Sequence, residues 1–106
     1  MVSQVKKRDE SIVLFNKDKI TNAIFRAATA VGGKDKDMAR ELADQVEFKV
    51  QDTFKDDIPS VEQVQDLIED VLIDNRHSQT AKAYIKYRQQ RAQVRETKKT
   101  ILDVDK

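Results

Sequence analysis

At 106 residues and 39% hydrophobic content, the chain has the length and apolar share of one domain with a modest core, and not of two. It contains no cysteine, which excludes disulfides, thiolate metal sites, iron–sulfur clusters and cysteine nucleophiles, and which fits a reducing compartment. The net charge of +1 hides a segregation: 13 acids stand against 4 bases from Asp35 to Asp74, a net of −9, while the rest of the chain carries +10. One surface is therefore suited to an anion and another is acidic, and the near-neutral total argues against nucleic acid as the partner. No apolar run is long enough to cross a bilayer, and the start MVSQVKKRDES lacks the apolar stretch of a signal peptide, so a soluble, cytoplasmic protein is expected.

In chain order, residues 4–8 (QVKKR) and 12–15 (IVLF) predict two strands joined through Asp9, Glu10 and Ser11 as a hairpin. Asn16 is a natural N-cap for a first helix, whose inner face carries Ile20, Ile24, Ala27, Ala28 and Val31 and which stops at Gly32-Gly33. A second helix is predicted from about Asp35 to Phe54, with Ala39, Leu42, Ala43, Val46, Val50 and Phe54 inward. Pro59 closes it off, because the residue before a proline is pushed out of helical geometry. The sequence SVEQ, Ser60 to Gln63, is a capping box that opens a third helix with Val61, Val64, Leu67, Ile68, Val71 and Leu72 on its buried side. After DNRHS a fourth helix begins near Ser78, with Ala81, Tyr84, Ile85 and Ala92 as its apolar stripe. From about Thr97 this pattern fades, and residues 97–106 read as a linker towards a catalytic domain outside the chain. Four amphipathic helices and one N-terminal β-hairpin result, so the expected fold class is α+β, mainly α.

The chemistry is carried by cations. A glycine-rich phosphate loop is absent, since the only two glycines are adjacent. Tyr84, Arg88, Arg91 and Arg95 share one face of the fourth helix, and seven bases against the single acid Glu96 lie between Lys82 and Lys99. A solvated basic face paired with the acidic middle helices explains this as well as a binding site does. Lys6, Lys7 and Arg8, with Lys17 and Lys19 at the start of the first helix, tip the balance. Helix N-termini favour anions over lysines, and a bound phosphate would reconcile the two. Asn16 and Ser60 have sufficient structural roles as caps. His77, the lone histidine, reads as a surface or capping residue, Phe15 and Phe25 as core, and Asp66, Glu69 and Asp70 as a solvated helix face rather than a divalent-cation site. No catalytic constellation is present.

Three stretches, VKKRDESIVLFNKDKITNAIFRAA, IPSVEQVQDLIEDVL and HSQTAKAYIKYRQQRAQVR, occur in an order that spans residues 5–95 and resembles the ATP-cone, the regulatory nucleotide-binding domain of ribonucleotide reductases. The resemblance implies a four-helix bundle capped by a small N-terminal β-hairpin, with ATP or dATP, with or without Mg2+, held between hairpin and helices as an allosteric effector. By this likeness Val5 meets the adenine through its backbone, with Lys7 and Arg8 beside the nucleotide. Asn16 and Lys19 approach ribose and phosphates, Ser60 and Gln65 line the opposite side, and Arg88 and Arg91 bind phosphates. The chain departs from the family at Glu10, where a glycine usually follows the KRD triplet.

The family's behaviour implies a mechanism: ATP leaves the parent reductase active and dATP at the same site lowers its activity, through assembly or through ordering of the catalytic part. Implied partners are the nucleotide effector, the catalytic domain of the parent, and further copies of the chain. The tail TKKTILDVDK resembles the link into an anaerobic, glycyl-radical reductase. Two other readings compete. The same cone occurs in a nucleotide-responsive transcriptional repressor beside a zinc ribbon, which the absence of cysteine opposes, and the basic fourth helix could serve a helical nucleic-acid binder.

Overall fold

The computed structural model describes the backbone of residues 1–104 and the side chains of residues 1–96. Two strands, β1 (Gln4–Lys6) and β2 (Ile12–Leu14), precede four helices: α1 (Lys17–Ala30), α2 (Lys36–Phe54), α3 (Val61–Asp74) and α4 (Ser78–Val104). The fold is the expected α+β, mainly α arrangement. The side chains of residues 97–106, read from sequence as a linker, lie outside the described residues, and the backbone of α4 continues to Val104.

The strands pair antiparallel, Gln4 opposite Leu14, Val5 opposite Val13 and Lys6 opposite Ile12. Strand β1 stops before its sequence limit because the chain already turns at Lys7, and β2 stops at Leu14, one residue before Phe15. Glu10 N–H donates to the Lys7 carbonyl at 2.9 Å and Lys7 N–H to the Ser11 carbonyl at 2.8 Å, so Arg8 sits in the turn rather than in the strand. Glu10 closes this turn at φ +69°, the left-handed region where a side chain is strained and glycine is not. The missing glycine therefore leaves the turn geometry intact and adds strain to it.

Each of the first three helices opens on a side-chain cap. Asn16 accepts from Asp18 N–H, Asp35 from Met38 N–H, and Ser60 from Gln63 N–H while the Gln63 side chain reaches back to complete the box. Helix α1 ends where Gly32 turns left-handed at φ +91° and Gly33 N–H donates to the Ala28 carbonyl at 2.7 Å. Val31, expected inside, is instead the C-cap residue and 41% exposed, since helical periodicity stops with the helix at Ala30. Helix α3 ends in the same way with Arg76 at φ +65°, and His77 N–H donates to the Leu72 carbonyl at 2.9 Å. The His77 carbonyl then accepts from Ala81 N–H, so this residue is a backbone hinge between two helices.

Each helix packs chiefly on two neighbours, α1 and α3 both lying between α2 and α4, which closes a four-membered ring. Its centre is filled by Ile24, Val46, Val50, Ile68, Val71 and Leu72, with Ala39, Ala43 and Ala81 allowing close approach. Phe15 and Phe25 are only partly buried, packed against this core. The hairpin is stitched to the bundle where α3 begins: Lys6 N–H donates to the Pro59 carbonyl at 2.9 Å, and Lys6 pairs in parallel with Ser60.

Candidate functional site

The alternation of β1 turns Val5 into the core and leaves Gln4 and Lys6 outside. Beneath the hairpin this leaves a hollow of about 270 Å³, with walls from β1 and β2, the first turns of α1, the first turns of α3 and Tyr84 of α4. Its lining is mainly apolar, from Val5, Val13, Phe15, Ile20, Val64 and Ile68, with Lys7, Asn16, Lys19 and Gln65 as its polar groups. An apolar cleft with a few convergent polar groups is the usual form of a small-molecule site.

A second hollow of about 280 Å³ adjoins it and is lined by Arg8, Arg88, Arg91 and Arg95 together with Val61, Gln65 and Tyr87. Val61 and Gln65 border both hollows. No acid lines the second, so four guanidinium groups surround one space, and guanidinium is the side chain best matched to phosphate oxygens. Arg91 and Arg95 form no ion pair with any described residue. Arg8 lies 2.8 Å from Glu62, and Arg88 is shared between Asp66, at 3.0 Å, and Glu69. Burial opposes the charge on Arg88, but the hydrogen bonds it donates to Asp66 and Glu69, with the charge of those carboxylates, outweigh it and raise its pKa. Arg88 therefore stays cationic with one guanidinium nitrogen, Nη1, committed to α3.

Of the nine candidate residues, Val5, Lys7, Asn16, Lys19 and Gln65 line the first hollow, and Arg8, Gln65, Arg88 and Arg91 the second. Ser60 lines neither; its hydroxyl is engaged as the cap of α3. Lys17, which the sequence groups with Lys19, turns the other way and binds Asp44 at 2.7 Å, a contact that raises its pKa. Lys6 points outward. Asp66 and Glu69 are not simply solvated, because they hold Arg88. Among the described residues no group of three or more metal-ligating side chains converges, and no helix is long and apolar enough to cross a membrane.

Two site residues were not singled out from sequence as ligand groups. Arg95 extends the arginine face by one further turn, a signal already present in the spacing. Tyr84 reads as core by its period, and it is buried, but its ring also borders the first hollow.

A four-helix bundle whose N-terminal hairpin covers an apolar hollow beside a guanidinium cluster defines the class as a mainly α domain capped by a two-stranded hairpin. The chain belongs to the ATP-cone family, with residues 3–93 matching the family described as the ATP cone domain. It is 40% identical over 103 residues to the vitamin B12-dependent ribonucleoside-diphosphate reductase of Thermoplasma acidophilum, a match covering 92% of this chain and 13% of that protein. It is 34% identical over 90 residues to the anaerobic ribonucleoside-triphosphate reductase of Haemophilus influenzae, covering 85% of this chain and 13% of the relative. The ribonucleoside-diphosphate reductase subunit alpha of Chlamydia muridarum is 34% identical over 101 residues, covering 87% and 10%. The chain thus spans about an eighth of the length of the first two relatives, and reductases of the vitamin B12-dependent and the anaerobic kinds both occur among them.

Proposed function

We propose that this chain is the effector-binding regulatory domain of a ribonucleotide reductase, taking ATP and dATP at one site. The observation that carries this reading is the adjacency of the two hollows across Val61 and Gln65. The nucleoside occupies the apolar hollow, against the backbone of Val5 with Lys7, Asn16, Lys19 and Gln65 around it. The phosphates extend past Gln65 among Arg8, Arg88, Arg91 and Arg95. Ser60 contributes indirectly, by fixing where α3 starts. Mg2+ would be carried by the triphosphate, as no carboxylate lines either hollow.

Regulation then requires that ATP and dATP favour different states of the domain or of its contacts, because a ligand with equal affinity for two states shifts neither. The hairpin is the element placed to report occupancy: it is short, it covers the nucleoside hollow, and it joins the bundle through few hydrogen bonds. The recipient of the signal is the catalytic part of a parent reductase, reached through residues 97–106. Arg88 offers one route, since a phosphate that draws it away from Asp66 and Glu69 loosens the contact between α3 and α4.

Calorimetric titration of the chain with ATP, dATP and GTP, with and without Mg2+, tests the reading. Saturable binding of ATP and dATP is expected; absence of heat with every nucleotide would remove it. Tight DNA binding with a steep salt dependence, and no response to mononucleotides, would instead favour a nucleic-acid interface on α4.

A further inference from the structure

Tyr84 is only 3% exposed, yet its hydroxyl forms no hydrogen bond with any described residue. Leaving a buried hydroxyl unpaired carries a desolvation cost that phenylalanine at the same position avoids. The oxygen is not sealed in, however. Among the described residues, Glu62 Oε1 is the one fully enclosed side-chain polar atom without a hydrogen bond. Tyr84 therefore reaches an opening through its small accessible area, and the residue lines two of them: the hollow under the hairpin and the groove between α1 and α4. Arg88, Glu69, Tyr87 and Asp66 are the titratable groups nearest it; Glu69 and Asp66 belong to α3 and hold Arg88, while Tyr87 borders the groove. The α3 residues Val61, Val64, Gln65 and Ile68 line the hollow under the hairpin and none lines the groove.

We propose that the Tyr84 hydroxyl hydrogen-bonds the nucleoside part of the bound effector and thereby helps set which nucleotide the domain prefers. The inference rests on the reading that this hollow takes an adenine nucleotide. A phenolic hydroxyl both donates and accepts, so it complements either the ribose 2′-hydroxyl or the polar edge of the base. Its burial makes the pairing selective, because a ligand that leaves it unpaired forfeits the hydrogen bond without regaining water. Lys7, Lys19 and the arginines recognise charge that every nucleoside triphosphate shares; Tyr84 adjoins the part in which they differ.

The test is Tyr84→Phe, which keeps the ring and removes the oxygen. Thermal unfolding without nucleotide is expected to show a midpoint equal to or above that of the unaltered chain. ATP affinity by calorimetry should fall roughly 3- to 10-fold, the loss of one neutral hydrogen bond. An equal loss for dATP places the contact on the base, and a loss for ATP alone places it on the ribose 2′-hydroxyl. Unchanged affinity for both nucleotides in a folded variant overturns the proposal while leaving the adenine-nucleotide reading in place. Failure of the unaltered chain to bind either nucleotide overturns both.

Discussion

Gln51 clasps the backbone of Val2: its Oε1 accepts from Val2 N–H at 2.6 Å and its Nε2 donates to the Val2 carbonyl at 2.8 Å. A primary amide presents a donor and an acceptor side by side, so Gln51 acts on Val2 as a neighbouring strand would. Val2 is buried, and the next residue, Ser3, accepts from Phe15 N–H at 2.9 Å. The clasp on α2 therefore fixes the segment that leads directly into β1 and Val5. Gln51→Ala is expected to lower stability by about 1–3 kcal/mol, with two buried backbone groups left unpaired. Urea denaturation reads this directly, and ATP affinity should weaken with it because Val5 loses its anchor. An unchanged midpoint would show that the clasp does not contribute to holding this segment.

Lys17 and Lys19 are two residues apart but serve opposite sides of α1. Lys19→Ala and Arg91→Ala should each cost roughly 1.5–3 kcal/mol of ATP binding, a loss of about 10- to 150-fold, as one charge-assisted contact disappears. Lys17→Ala should leave the affinity unchanged, since that ammonium is paired with Asp44 outside the site. Titration of the three variants separates a specific site from a general basic surface, which would lower all three affinities alike.

Glu10 pays a conformational penalty at φ +69° that glycine would not. Glu10→Gly is expected to stabilise the domain by about 0.5–1 kcal/mol, offset in part by the greater freedom of glycine in the unfolded chain. For a chain of this length the melting temperature should rise by a few degrees, on the order of 4 °C per kcal/mol. A fall in melting temperature would mean that the Glu10 side chain makes a compensating contact.

Asp9 accepts hydrogen bonds from the Ser11 hydroxyl and N–H, and these hold its carboxyl below the usual aspartate range. A depressed folded-state pKa means that the contribution is fully present above the unfolded value of about 4 and is lost as pH falls through the lower folded value. The Ser11 amide resonance should accordingly titrate below about pH 4, and Asp9→Asn should abolish that titration. A Ser11 shift centred at or above the ordinary aspartate pKa would contradict the hairpin geometry.

Several elements were readable because their causes lie within four residues. The caps at Asn16 and Ser60, the stop at Gly32 and the inward stripes of α2 and α3 all depend on local spacing, and they stand where the pattern puts them. Val31 shows the limit of that logic, since periodicity marks a face only while the helix lasts. The turn at Lys7 shows another: a run of β-formers does not say where the chain reverses, and here two backbone hydrogen bonds decide it.

The sequence by itself determined the helices, their caps, the hairpin and the charge segregation, because short-range sterics and hydrogen bonding act between neighbours along the chain. Only the tertiary structure decided which cations meet. It set Lys7 and Lys19 beside one hollow and Arg8 with Arg91 beside the next, sent Lys17 to Asp44, and engaged Arg88 with two acids of α3. That outcome depends on how each helix is rotated about its axis when Ile24, Val46, Val71 and Leu72 pack together. Packing of this kind is a property of residues far apart in the chain, so no local pattern encodes it.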